Sequence, residues 1–183
     1  MTDDTVPATD DWGTMDLTKI CIIGFSGDTG AFSETLITLD HDLPDADIIQ
    51  LLDHYDRGDD IIQLYGASIG STMTEKSETP FDLFLEDEGG VKVVYYLVAE
   101  GWYFAPDGPA LTLKEPDPHG QFWGLRLLGP DANAPKIIRV QNLNSVQHHY
   151  YFNLHAVFTD ANAIPLFVTI DPVMGNESGG GPR

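Results

Sequence analysis

Residues 148–158 limit what this chain can fold into more than any other stretch. Tyr150, Phe152, Leu154, Ala156 and Phe158 alternate there with His149, Tyr151, Asn153, His155 and Val157. Successive side chains of an extended chain point to opposite faces. The spacing therefore predicts a long strand with one apolar face and one face of histidines, tyrosines and an asparagine.

The same period recurs along the chain. Residues 81–86 read as a short strand, and 91–99, apolar apart from Lys92, as a strand covered on both faces. Trp123, Leu125 and Leu127 alternate with Gly124 and Arg126, Ile138 and Val140 with Ile137 and Arg139, and residues 166–170 close the series. Turn residues fall between these runs, at 129–135 and 159–165. A third cluster, Asp87, Glu88, Gly89 and Gly90, predicts a tight reversal between Leu85 and Val91.

One segment departs from period two. After Pro44, the positions Ile48, Leu51, Leu52 and Tyr55 follow helical spacing, with Asp45 or Asp47 placed to cap the start and Gly58 to stop the helix. The fold expected is mainly β: an antiparallel two-sheet β-sandwich, immunoglobulin-like or similar, over residues 18–173 with one short helix. Residues 1–17 read as a disordered acidic tail and 174–183 as a disordered Gly-rich tail.

Charge narrows the partners. Nine Lys and Arg stand against 29 Asp and Glu, a formal net charge of −20. Such a field repels phosphate backbones and anionic membrane surfaces, so neither nucleic acid nor membrane is expected as a partner. Cationic ligands, divalent metals and basic proteins are compatible with it. Cys21 is the only cysteine, so no intrachain disulfide forms, and its apolar neighbours Ile20, Ile22 and Ile23 place it in a core. The first residues have neither a basic start nor an apolar run. A classical signal peptide is therefore not expected, and the cytoplasm is the default location.

Gly24, Gly27 and Gly30 succeed the apolar run 20–23 at three-residue spacing. This Gly-x-x-Gly-x-x-Gly stretch resembles the dinucleotide-binding turn of the extended short-chain dehydrogenases. The resemblance implies a nucleotide held at a helix N-terminus by backbone that only glycine permits. Residues 32–39, where that helix would run, instead have strand composition. A Gly-rich hairpin joining 19–26 to 32–39 accounts for the glycines without a ligand.

Three further groups have site-like spacing. Asp53, Asp56, Asp59 and Asp60 crowd the end of the expected helix and could supply oxygens to calcium, although they match no EF-hand loop. The row Tyr151, Asn153 and His155, together with Tyr103 in the run 102–104, suits a binding surface for a carbohydrate or a protein. His149 and His155 share a face but lie about 20 Å apart on a strand, too far for one metal ion. Catalytic signatures such as His-Glu-x-x-His, a Walker loop or Cys-x-x-Cys do not occur. The leading expectation is a non-enzymatic binding or assembly module acting through sheet faces and edges, with a protein partner or a second copy. A nucleotide-binding protein and a calcium-stabilised β module are the alternatives.

Overall fold

The computed structural model describes residues 4–5, 11–25, 32–160 and 162–177. Among these, thirteen strands form two sheets. In chain order the strands are β1 (Asp4–Thr5), β2 (Leu17–Phe25), β3 (Phe32–Leu39), β4 (Ser68–Gly70), β5 (Leu83–Leu85), β6 (Val91–Leu97) and β7 (Trp102–Phe104). They continue as β8 (Leu111–Leu113), β9 (Phe122–Leu128), β10 (Ile137–Asn142), β11 (His148–Thr159), β12 (Pro165–Ile170) and β13 (Val173–Asn176). Two helices, α1 (Asp45–Asp56) and α2 (Ile61–Tyr65), lie between β3 and β4. The mainly β expectation holds, α1 is the expected helix, and the five-residue α2 is an addition to it.

A six-stranded sheet has the order β4-β3-β2-β6-β10-β9, and a seven-stranded sheet runs β1-β8-β11-β13-β5, with β7 and β12 also paired to β11. Both sheets are mixed, which corrects the purely antiparallel expectation: β2 runs parallel to β6, and β13 parallel to β5. The cause is the long excursion through both helices, which returns the chain beside β2 in the parallel sense. Asp87 to Gly90 is likewise not a hairpin. It carries the chain from β5 in one sheet to β6 in the other. Gly89 takes φ +94°, and the Asn144 amide donates to the Asp87 and Gly89 carbonyls, which fixes this crossing.

Alternation along β2, β6 and β10 divides their side chains between two apolar clusters. Cys21, Ile23, Val93, Tyr95, Ile138 and Val140 join Leu83, Leu111, Phe152, Leu154 and Met174 of the other sheet in one cluster. Ile20, Ile22, Val94 and Ile137, on the opposite face, pack with Ile48, Leu51 and Leu52 of α1. Because both faces of this sheet are covered, β6 reads as an almost unbroken apolar run. Its one charge, Lys92, pairs with Asp42 and donates to the Leu43 carbonyl at 2.8 Å.

Two segments that sequence composition assigned to tails pack against the body. Met174 of β13 is fully buried, so the second sheet extends past residue 173. Residues 11–16 lie over β9 and β10. The Asp11 carboxylate accepts from Arg139 at 2.7 Å, the Trp12 ring meets Trp123 at 5.2 Å, and Gln141 exchanges hydrogen bonds with Trp12 N and Gly13 O. Arg139 is buried and also donates to Asp45 at 2.9 Å, joining this segment to the start of α1. Asp45 is thereby drawn to an arginine, and no side chain caps α1. The tail composition concealed this because the contacts are polar and long-range, and no local pattern reports them.

Candidate functional site

The outer face of the seven-stranded sheet is set by β11. Tyr150, Phe152, Leu154 and Ala156 point into the core, so Tyr151, Asn153, His155 and Val157 point away from it. Registered neighbours in an antiparallel pair share a face. Tyr103 of β7 lies opposite Val157, Thr112 of β8 opposite Asn153, and Thr169 of β12 opposite His155. The structure thus brings Tyr103, Tyr151, Asn153 and His155 onto one surface, although Tyr103 is far from the others in the chain.

Their environments differ along that surface. Tyr151 is 51% exposed and borders a pocket of about 300 Å³ with Lys76, Phe84, Lys114, His149 and Asp171. Both lysines there are matched: Lys114 pairs with Asp171, and Glu177 accepts from Lys76 at 3.0 Å and from His149 at 2.7 Å. These bonds, that from Lys76 first, hold the Glu177 carboxyl below its ordinary range. His155 is half-buried and shares a hydrogen bond of 3.0 Å with the Thr112 hydroxyl. The Tyr103 hydroxyl reaches Thr159 at 3.3 Å.

At its other end the face runs into β12, which pairs with β11 alone among the described residues. Its second edge therefore presents backbone N–H and C=O groups outward. Phe167 lies opposite Val157 on the outer face and is 77% exposed, while Leu166 lies opposite Phe158 on the inner face and is 61% exposed. Side chains pointing both ways are uncovered, so the end of the β11–β12 hairpin overhangs the core. Ile164, just before β12, is exposed as well. In the loop, Asp160 accepts from the backbone of Ile164 and Asn162, which pins the turn and lowers its carboxyl pKa.

The remaining expected residues lie elsewhere. Gly24 pairs with Ser33 between β2 and β3, where Phe25 meets Phe32 in antiparallel register. A side chain at Gly24 would collide with the Ser33 hydroxyl unless that exposed serine turned aside, so close packing within the sheet favours glycine without a ligand. Gly24 borders a hollow of about 330 Å³ with Ser33, Thr35 and Tyr55, and a strand, not a helix, comes after β2. Gly27 and Gly30 lie outside the described residues.

The four aspartates near α1 do not converge. Asp56 accepts from the Tyr96 hydroxyl at 2.6 Å, Asp59 from His54 at 2.7 Å, and Asp60 caps α2 through Gln63 N at 3.0 Å. Asp53 borders a separate hollow beside Lys136 and Asp131. Among the described residues no three His, Cys, Asp or Glu side chains are grouped to hold a metal ion. No helix of these residues is long and apolar enough to cross a membrane. Cys21 is fully buried, and desolvation pushes its thiol up to about 12.

Sequence reasoning identified the polar row but not the β12 edge. Residues 166–170 read simply as the last strand of a core. The signal available was the absence of any charge between Asp160 and Asp171 in so acidic a chain. Edge strands are ordinarily protected by charge, and a neutral one is conspicuous. Compared with protein-family profiles and with curated proteins, the sequence matches none.

Proposed function

We propose that this protein is a non-enzymatic assembly module that joins a second copy of itself through the open edge of β12. The observation that carries this reading is Phe167, 77% exposed on an uncharged edge strand that pairs on one side alone among the described residues. Antiparallel pairing of two β12 strands about a two-fold axis would satisfy the outward backbone groups of both copies. It would also bury Phe167 and Leu166 of each copy against the partner. A neutral edge suits a second copy because it carries none of the charge by which two bodies of −20 repel.

The fold reading that accompanies it is a two-sheet β-sandwich. Supporting it are the apolar cluster common to both sheets and the ring contacts Tyr95–Phe152 at 6.3 Å and Phe122–Tyr150 at 4.9 Å.

Light scattering coupled to size exclusion, run over a wide concentration range, tests the assembly. A dimer that dissociates in Phe167→Lys, with the melting temperature unchanged, supports the proposal. A strict monomer at the highest concentration overturns self-association.

A further inference from the structure

A hollow of about 320 Å³ lies between α1 and the connection from β9 to β10, away from the edge strand. Its size is at the lower end of the range for small-molecule sites. Buried Leu52 and Ile137 line it, with half-buried Ile49, Leu128 and the Tyr96 ring. The two exposed carboxylates of Asp53 and Asp131 border it. Asp56 stands behind Tyr96, whose hydroxyl it binds at 2.6 Å. The one cation on the lining, Lys136, directs its ammonium to the Ala99 carbonyl at 3.0 Å.

We infer that this hollow binds a small apolar ammonium compound, an aromatic or branched hydrocarbon group bearing one protonated amine. The apolar lining takes the hydrocarbon, and Asp53 and Asp131 face the charged nitrogen within a strongly acidic field. The other titratable groups facing the hollow, Tyr96 and Lys136, are each held by a bond within the protein, and Asp131 accepts from Asn133 N at 2.9 Å through one oxygen, leaving its other for the ligand.

The other two hollows fit this ligand less well. The one beside Tyr151 has two lysines, Lys76 and Lys114, on its lining, and the one beside Gly24 carries hydroxyls without a carboxylate. An anion of the same shape would meet Asp53 and Asp131 unfavourably. A metal ion would find no cluster of three ligands among the described residues.

Tryptamine and indole-3-propionate are suitable probes, since they share an indole and a two-carbon arm but carry opposite charges. Titrations of each, monitored by amide chemical shifts at low salt, give site and affinity together. Tryptamine is expected to shift the amides of α1 and residues 128–137 and to bind at least about tenfold more tightly than the propionate. The double variant Asp53→Asn, Asp131→Asn, which alters only exposed groups, should weaken tryptamine by about three- to tenfold and leave the propionate no weaker. Ala134→Trp fills the hollow and should abolish both interactions. Equal affinity for the two probes, or no shift with tryptamine at about 10 mM, overturns the inference. So does tryptamine binding that the double variant leaves unchanged.

Discussion

Two glycines in and beside β9 allow the contribution of the residue 11–16 strap to be measured by difference. Gly120 and Gly124 have nearly the same left-handed backbone, φ +58° and φ +57°. A Cβ at Gly120 meets nothing within 4 Å. At Gly124 it would collide with the Asp11 carboxylate and lie 2.6 Å from Arg139 Nη1. Alanine at either position carries the same left-handed strain, about 1 kcal/mol. At Gly124 it must also push apart Asp11 and Arg139, and disturb the 2.6 Å bond from Arg139 to the Gly124 carbonyl.

Leaving a buried charge without its partner costs about 3–5 kcal/mol. Arg139 keeps Asp45, and Asp11 is itself partly exposed, so the additional loss should be about 2–3 kcal/mol. Gly124→Ala should therefore lose about 3–4 kcal/mol in urea unfolding monitored by far-ultraviolet circular dichroism, against about 1 for Gly120→Ala. With a slope of about 2 kcal/mol/M, the two midpoints should differ by about 1–1.5 M. In an Asp11→Ala background the penalty at Gly124 should shrink, because the displaced partner is gone. Equal losses for the two alanines would refute the argument.

Four further outcomes are expected. Met174→Ala, which empties a fully buried site in β13, should cost about 2–5 kcal/mol by the same unfolding assay; a neutral result would return residues 174–176 to the tail. Asp60→Ala removes the cap of α2 and should cost about 1 kcal/mol in that assay. Because Asp56, Asp59 and Asp60 are turned to Tyr96, His54 and Gln63, calcium added after chelation should raise the melting temperature no more than magnesium does. The hydrogen bond from Arg139, aided by its charge and that of Arg126, holds the Asp11 carboxyl below the ordinary 3.8. A lowered folded pKa gives stabilisation that is present above 3.8 and lost as pH falls through the lower folded value. Asp11→Asn should flatten the acid limb of the stability profile there, as read by melting temperature against pH.

Elements governed by local patterns were legible in the sequence. The alternation at 148–158 gave β11 to within a residue, and the turns at 129–135 and 159–165 join strands that pair as expected. Helix α1 was evident from Ile48, Leu51 and Leu52. Pairing direction was not legible, because the parallel neighbours β2 and β6 are separated by two helices and three strands. Nor was the role of Gly89, since a positive φ serves a crossing between sheets as well as it serves a hairpin. Of the site, the row at 151–155 was visible as period two, and Tyr103 joined it only through its register with Val157. Exposure at Leu166 and Phe167 could not be read from composition. The same residues under a covering sheet would have the same spelling.

Net charge and the open edge act together. Every Lys and Arg among the described residues except Lys136 has a carboxylate within ion-pair reach. Lys136 donates to a carbonyl instead. Few cations are left to meet a phosphate, so the distribution of charge, and not only its sum, argues against nucleic acid as a partner. The uncompensated carboxylates repel another copy over most of the surface at ordinary salt, with a range of about 8–10 Å. An acidic coat of this kind suppresses adventitious contact, and the β12 edge between Asp160 and Asp171 is a place where repulsion is low and apolar area is exposed. Long-range repulsion and short-range apolar attraction would select the β12 edge together, whereas either alone would not. A neutral surface would let many patches compete, and a charged edge would be repelled by the second copy.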